Sequence, residues 1–359
     1  MDVFDGHNDL PWRLRVRYPD GSAGVDLTDD LSATGLHTDL SRLARGGVGA
    51  QFWSVYVPND RPEPQSAIQV VEQVELVRRI VARYPDRLAI ATNAAEVERA
   101  RATGRIASLL GAEGGHCLDN SLAVLRSLHK LGIRYLTLTH SRNTAWADSA
   151  TDEPAVGGLS PFGRDVIREL NRLGMLADLS HVADTTMHAA LDVSTAPAFF
   201  SHSSARALCG HPRNVPDDVL LRVRDTNGVV MVTFVPFFLT EECRYWGDEL
   251  SQVEDAMSLP LDSPEFLRRR QSWIDANPCP PTSVRNVADH VEHVREVAGL
   301  DAVGLGGDYD GTEVVPEGLP DVSAYPALFD ELSTRGWTEP ELRKLAWDNA
   351  MRVLRATCG

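Results

Sequence analysis

Short clusters of histidine and carboxylate residues punctuate this chain, and each one closes an apolar run. They are Asp5-Gly6-His7-Asn8-Asp9, Gly111-Ala112-Glu113-Gly114-Gly115, Thr137-Leu138-Thr139-His140, Asp178-Leu179-Ser180-His181, Phe200-Ser201-His202-Ser203 and Gly306-Gly307-Asp308-Tyr309-Asp310-Gly311. His7 and Asp9 are two residues apart, so an extended backbone points both the same way. Taken singly, each cluster reads as a hydrogen-bonded structural histidine or a turn acid. Taken together they ask for a common cause, because buried ionisable groups without partners are costly. A bound dication would satisfy them at once. Imidazole plus carboxylate without thiolate suits Zn²⁺, Mn²⁺ or Fe²⁺, not Ca²⁺ or an iron–sulfur cluster. His7, Asp9, Glu113, His181 and His202 suffice for two ions if one carboxylate bridges. Two such ions, roughly 3.5–4 Å apart, share a hydroxide that is a strong nucleophile at neutral pH.

The elements that must position these groups alternate along the chain. Strand candidates are Val3–Phe4, Ala50–Val57, Ile106–Leu110, Tyr135–Thr139, Met175–Leu179, Ala198–Ser201, Val229–Phe234 and Ala302–Gly306. Several are continuous apolar runs, as buried parallel strands should be. Helix-period stretches lie between them. Ser66–Tyr84 sets Ile68, Val71, Val74, Val77 and Val81 on one stripe, and Val284, Val287, Val291, Val294 and Val297 form another after Ser283. Ser160-Pro161 opens a further helix that Gly174 closes. Strand–helix alternation repeated eight times predicts a (β/α)8 TIM-type barrel of the metal-dependent hydrolase type. In that fold, strand ends carry the active site. An open doubly wound sheet is the alternative, and it lacks support because no Gly-rich phosphate loop follows the first strand. One catalytic domain over 1–359 is expected, with an insertion at 236–283 after strand seven serving as a lid or a dimer contact. Tyr245 and Trp246 are lid candidates within it.

Bulk properties narrow the partners. The chain has 359 residues, 43% of them hydrophobic, which suits one large domain. A net charge of −16 argues against a nucleic-acid partner, because phosphate binding needs clustered Lys and Arg. Neither a signal peptide, nor a transmembrane span, nor a lipidation signature is read in the sequence. Cys117, Cys209, Cys243, Cys279 and Cys358 are odd in number and scattered, which fits reduced thiols in the cytoplasm. The expected location is therefore cytoplasmic, without a membrane partner, and a homodimer is the expected assembly on general frequency. The remaining histidines, His37, His116, His129, His188, His211, His290 and His293, read as structural or solvated, with His116 and His211 near the site loops. Trp53 is expected to pack below the barrel mouth.

At these residues the chain resembles the membrane (renal) dipeptidase family of zinc peptidases, peptidase family M19, within the amidohydrolase-like barrels. Stretches that carry the resemblance are the six clusters named above together with Gly46-Gly47-Val48-Gly49-Ala50-Gln51-Phe52-Trp53-Ser54, Pro212-Arg213-Asn214 and Asn349-Ala350-Met351-Arg352-Val353. It runs nearly end to end and leaves out the segment between Pro236 and Pro281. The resemblance implies His7 and Asp9 as ligands of one Zn²⁺, His181 and His202 as ligands of the other, and Glu113 as the bridge. It implies that His140 contacts the scissile carbonyl side and that Arg213 holds the dipeptide's carboxylate. Asp308 is implied as the acid that shuttles a proton. The implied activity is hydrolysis of the amide bond of L-Xaa-L/D-Xaa dipeptides by a metal-bridging hydroxide. Those roles match what the residues can do: a guanidinium fork pairs with a carboxylate, and a carboxyl group moves a proton. The alternatives are a binuclear amidohydrolase opening a β-lactam or an N-acyl amino acid, and a non-catalytic binding protein on the same barrel.

Overall fold

The computed structural model describes residues 1–18, 25–59 and 63–359. Nine parallel strands organise it: β1 (Val3–Asn8), β2 (Val48–Ser54), β3 (Leu88–Ile90), β4 (Ile106–Glu113), β5 (Ile133–Thr137), β6 (Leu176–Asp178), β7 (Phe199–Phe200), β8 (Val229–Val232) and β9 (Val303–Leu305). Neighbours run β2-β1-β9-β8-β7-β6-β5-β4, and β2 pairs back onto β4, so eight strands close into a barrel. The ninth, β3, lies outside that ring. It pairs with the start of β4, at Ile106 to Ser108, and β5 takes over that edge from Leu110 onward. The sequence reading finds the eight ring strands and misses β3. Three residues between polar flanks carry no periodicity to detect.

Alternation along the strands decides what faces the barrel axis. Phe4, Phe52, Leu109, Tyr135, Leu176, Phe199 and Met231 pack on one another. Ring centroids stand 5.8 Å apart for Phe4 and Phe52, 4.8 Å for Phe52 and Tyr135, and 5.8 Å for Tyr135 and Phe199. Trp347, from the C-terminal helical region, closes this aromatic layer against Phe4 at 5.8 Å. The opposite parity, with Val3, Leu110, Leu136, Phe200 and Val230, packs outward in the larger core shared with the helices. Two residues further along the inward parity come Ser54, Gly111 then Glu113, Thr137, Asp178 and Ser201. Polar groups thus sit directly above an apolar plug. β1 needs a correction to join them. Asp5 pairs with Gln51 but Asn8 pairs with Trp53, so β1 carries one extra residue. Such a bulge re-aims side chains, and it brings His7 to the same rim.

The helices follow the sequence signals with one exception. Ser160 caps the helix Pro161–Leu173 by accepting from the Gly163 N–H, and Gly174 ends it at φ 69°. Ser283 and Asn286 form a capping box at Val284–Ala298. The helix Glu63–Arg83 does bury Val74, Val77 and Val81, yet Ile68 and Val71 stand exposed. Its inward face runs through Ser66, Val70, Gln73, Val74, Val77 and Val81, and Ile68 and Val71 lie off that face. Between β8 and Val284–Ala298 lie two further helices, Glu241–Met257 and Pro264–Ala276. They pack on each other through Trp246, Leu250 and Ile274. Trp246 is therefore an anchor of this pair, donating from Nε1 to the Asn277 carbonyl at 2.7 Å, while Tyr245 is exposed. Among the described residues no helix is long and apolar enough to cross a membrane.

Gly111 links the core to the rim. A Cβ there would run into the ring of Tyr135, whose hydroxyl reaches His7. Gly111→Ala is therefore expected to destabilise the fold by about 1–3 kcal/mol, the usual cost of overpacking. Urea unfolding monitored by circular dichroism measures this, and an unchanged midpoint would contradict it.

Candidate metal centre

Glu113, the last residue of β4, projects into the barrel mouth and gathers histidines at both of its oxygens. Its Oε2 lies 3.4 Å from His7 Nε2, and its Oε1 lies 2.9 Å from His181 Nε2 and 3.5 Å from His202 Nε2. His140 Nε2 stands 3.9 Å from the same Oε1. His7 Nε2 also meets Asp9 Oδ2 at 3.1 Å and Asp308 Oδ1 at 4.0 Å. His181 and His202 approach Nε2 to Nε2 at 3.0 Å. Every one of the metal-ligand residues expected from the sequence is thus present at one rim, and all five are buried.

Outer hydrogen bonds set which nitrogen of each ring is free. His202 Nδ1 is 2.8 Å from Ser201 Oγ, and that hydroxyl donates to Asp178 Oδ2 at 2.6 Å. Ser201 Oγ must then accept from the imidazole, so His202 Nε2 keeps its lone pair. Asp178 also accepts from the Thr137 hydroxyl at 2.6 Å and from the Ser201 N–H at 2.8 Å. His7 Nδ1 lies 2.8 Å from the Tyr135 hydroxyl, with Nε2 turned to the carboxylates. Ser54 Oγ donates to Glu113 Oε2 at 3.0 Å. Asp5 receives the N–H groups of His7 and Gly307, at 3.2 and 2.9 Å. Asp178, Tyr135, Ser201, Ser54 and Asp5 are the site residues that sequence reasoning passes over. For Ser54, Asp178 and Ser201 the one available signal is a polar side chain at an inward position above an apolar layer; Tyr135 lies within that layer and Asp5 on the opposite parity.

Charge behaviour follows from burial and neighbours. Burial drives the His181 and His202 imidazoles well below their usual pKa, so both stand neutral. His140 is lowered by burial too. Burial alone would raise Glu113, but His7 and the hydrogen bond from His181 outweigh it and hold the carboxyl well below the usual range. For His7, burial pulls downward and the oxygens of Tyr135, Glu113 and Asp9 reverse the sign, leaving it well above its usual value. Burial pushes Asp308 well up, and the carboxylates of Asp9 and Glu113 add to that against the pull of His7. Burial brings Arg213 down to about 10.

This donor set fits divalent cations. Three subsets, His7/Glu113/His202, Glu113/His140/His181 and His7/Asp9/Asp308, each bring their ligand atoms within 4.8 Å of one another. Glu113 and His7 each belong to two of the subsets. Asp9 Oδ1 is buried and has no hydrogen-bond partner in the protein, an acceptor oriented for something other than a side chain. Arg213 lies at the same mouth. Its Nη2 donates to the His202 carbonyl at 3.3 Å and its Nη1 to Ser203 Oγ at 3.4 Å, while Phe238 covers the guanidinium at 5.1 Å. Among the described residues no carboxylate forms an ion pair with it, and its Nε is buried without a partner. Other histidines point elsewhere. His116 Nε2 is 3.1 Å from the Val57 carbonyl, His211 Nδ1 accepts from the Arg213 N–H, and His290 bridges the Ala205 N–H and the Leu239 carbonyl. His37 is nearer the site than its polar sequence surroundings indicate, because it exchanges hydrogen bonds with Asp310 at 2.8 and 3.0 Å.

Comparison with known proteins identifies relatives across the whole chain. A family model described as membrane dipeptidase, peptidase family M19, matches residues 1–358. An uncharacterized dipeptidase of Schizosaccharomyces pombe is 40% identical over 369 residues, spanning 99% of this chain and 80% of that protein. Dipeptidase 3 of Mus musculus is 40% identical over 358 residues, spanning 98% of this chain and 64% of the mouse protein. Among solved structures, a metallopeptidase of Rhodobacter sphaeroides bound to a phosphinate mimic of the dipeptide L-Ala-D-Ala superposes with a TM-score of 0.83 at 26% identity over 99% of each chain. The metallopeptidase named dipeptidase AC, of family M19, gives 0.84 at 26% identity over 100% of this chain and 99% of its own.

Two measurements follow from the site. Asp178→Asn removes the charge that orients the Ser201 hydroxyl behind His202, and is expected to weaken Zn²⁺ affinity by about 10–100-fold. Competition with a chromophoric chelator reads this directly, and wild-type affinity in the variant would refute the relay. His7 is held above its usual pKa, so metal-free protein carries its proton at neutral pH, and an ion taking Nε2 must expel it. Zn²⁺ affinity should therefore tighten as pH rises toward the His7 pKa. The binding heat at pH 7 should change with buffer ionisation enthalpy by about one proton per chain. A buffer-independent heat would contradict it.

Proposed function

This chain belongs to the membrane dipeptidase family, peptidase family M19, and is a metallo-dipeptidase by class; we propose that it hydrolyses small L-Xaa-L-Xaa and L-Xaa-D-Xaa dipeptides at the Glu113 rim. We further propose that His7 and Asp9 hold one Zn²⁺, His181 and His202 a second, and Glu113 both, with Mn²⁺ an acceptable substitute. The observation that carries this reading is Arg213. A guanidinium buried without a carboxylate partner is costly, and here it faces a cluster of metal-ligating groups. A substrate with a terminal carboxylate next to its scissile amide would satisfy both at once. A dipeptide has that shape. The dipeptide mimic in the Rhodobacter sphaeroides relative, with D-Ala at its C-terminal position, supports including D-residues there.

When bound, such ions lower the pKa of a shared water toward neutrality and draw charge from the scissile carbonyl. The chain's own groups do the rest. Arg213 pairs with the substrate carboxylate and fixes how far the peptide enters. His140 is neutral and so has one N–H to give. Its Nδ1 is buried without a partner in the protein, and one ring nitrogen donates to the carbonyl oxygen as negative charge grows there. Asp308, raised well above the usual carboxyl range, is suited to hold a proton. It takes one from the attacking water and delivers it to the leaving amine nitrogen, ending as it began. The aromatic layer below, Phe52, Tyr135 and Phe199, keeps bulk water from entering beneath the rim.

Chelation should abolish dipeptide cleavage and Zn²⁺ should restore it. Arg213→Ala should cost about 2–5 kcal/mol in kcat/KM, chiefly as a higher KM. Asp308→Asn should lower kcat by about 10²–10⁴-fold with little change in KM. Steady-state kinetics on a panel of L-Xaa-L-Xaa and L-Xaa-D-Xaa peptides tests all three. Zinc-loaded protein that leaves the whole panel intact would overturn the reading.

A further inference from the structure

The turn that carries Asp308 is tied to other segments: the Asp9 N–H donates to the Tyr309 carbonyl at 2.9 Å, and His37 exchanges hydrogen bonds with Asp310 at 2.8 and 3.0 Å. Asp308 sits at φ 59°, in the left-handed region, with its N–H on the His7 carbonyl at 3.2 Å and its carbonyl on the Gly311 N–H at 3.2 Å. What holds the far side of this turn comes from elsewhere in the chain. Arg13, one turn after the ligand Asp9, donates from Nε to the Asp310 carbonyl at 2.9 Å. Its Nη1 meets Glu313 Oε1 at 2.7 Å. The other oxygen of Glu313 is taken by Arg270 of the helix Pro264–Ala276. Arg270 in turn pairs through Nε with Glu254 of the helix Glu241–Met257. Side-chain exposure is 12% for Arg13, 18% for Glu313 and 19% for Arg270, so solvent screens this chain of charges only weakly.

From this arrangement we infer that Arg270 is a positioning residue for Asp308, acting through Glu313 and Arg13 on the turn that holds the acid. The inference rests on the proposed role of Asp308 as proton carrier. It also gives the helix pair at 241–276, which the sequence reading sets outside the resemblance but the family model spans, a part in that chemistry. Glu313 is the hinge of the chain of charges, since it separates two guanidinium groups that would otherwise repel. Burial would raise its pKa, and Arg270 and Arg13 instead hold it down at about 2. Arg270 fixes one oxygen of Glu313 and so leaves the other to hold Arg13 in place. Without Arg270, Glu313 is free to rotate toward solvent, Arg13 loses its orientation, and the Asp310 carbonyl loses its donor.

The test uses the full zinc-loaded chain, with Arg270→Met, Arg270→Lys and Glu313→Gln. Arg270→Met is expected to lower kcat by about 2- to 30-fold while leaving dipeptide KM within error. Arg270→Lys should recover part of the loss, because it restores charge without the fork. Glu313→Gln should be worse than Arg270→Met, since it leaves two arginines facing each other. Adding Arg270→Met to it should cost nothing more. Hydrogen exchange of the Gly307–Thr312 amides in metal-free protein should speed up in Arg270→Met. An unchanged exchange rate, an unchanged kcat, or a lower melting temperature as the sole effect overturns the inference. Should wild-type protein cleave no dipeptide, the functional reading falls, and the exchange measurement still decides the role of Arg270.

Discussion

One buried carboxylate governs this molecule. Glu113 is taken out of water and set with His7 at one oxygen and with His181 and His202 at the other. An isolated carboxylate in such a place would neutralise itself by taking a proton. The surrounding imidazoles prevent that and hold it charged. The same imidazoles are not all protonated: burial first, then the charges of Arg213 and the neighbouring histidines, leave His181 and His202 neutral. What remains is a set of lone pairs and one fixed negative charge aimed at common ground. That is an affinity for dications before it is anything catalytic, and the barrel is built to withstand its cost.

The barrel does so in layers. Inward positions on β2, β5, β6 and β7 carry a bulky apolar side chain first and a hydroxyl or acid two residues later, and β4 carries Leu109, then Gly111, then Glu113. The lower layer supplies burial that stabilises the fold, and also a dry floor. The upper layer supplies donors and acceptors that fix ring orientation. Ser201 illustrates the economy: its hydroxyl donates to Asp178 and accepts from His202, which settles one imidazole tautomer by elimination. The bulge in β1 between Asp5 and Asn8 breaks the alternation, and it brings in His7, the residue that faces Asp9, Glu113 and Asp308 together.

Much of this was legible in the sequence, for a physical reason. Buried parallel strands read as apolar runs, and an ionisable residue at the end of such a run has few harmless explanations. Hence the ring strands and the five candidate ligands could be named from residue order alone, and His140, Arg213 and Asp308 from the family resemblance. The misses have equally physical causes. β3 is too short to show a period. Ile68 and Val71 match the helical stripe of Ser66–Tyr84 but face outward, since spacing gives a face and not its direction. Asp178 and Tyr135 sit inside strand segments where a polar side chain looks like ordinary packing. The Arg13–Glu313–Arg270 network joins residues about as far apart in the chain as it allows, and no local pattern announces it.

Backbone strain shows where the rim's order is spent. His181 and Asp308 both adopt left-handed φ, 71° and 59°, which non-glycine residues avoid. Each such residue costs on the order of 1–3 kcal/mol and persists only where neighbours over-determine it. For His181 they do: its carbonyl accepts from the Ala150 N–H at 2.8 Å and from Thr139 Oγ1 at 3.2 Å. These bonds come from the loops after β5, so the strained turn is locked by segments on its own side of the barrel. The Asp308 turn is held from outside instead, by His37 and Arg13 at Asp310, and the helices after β8 reach it only through Glu313 and Arg13. The two strained residues also differ in their proposed tasks. A metal ligand must not move at all, and His181 is held by bonds to its own carbonyl. A proton carrier must reach two atoms in turn, and Asp308 has its backbone held one step away, at the Asp310 carbonyl, with its side chain beside Asp9 and His7.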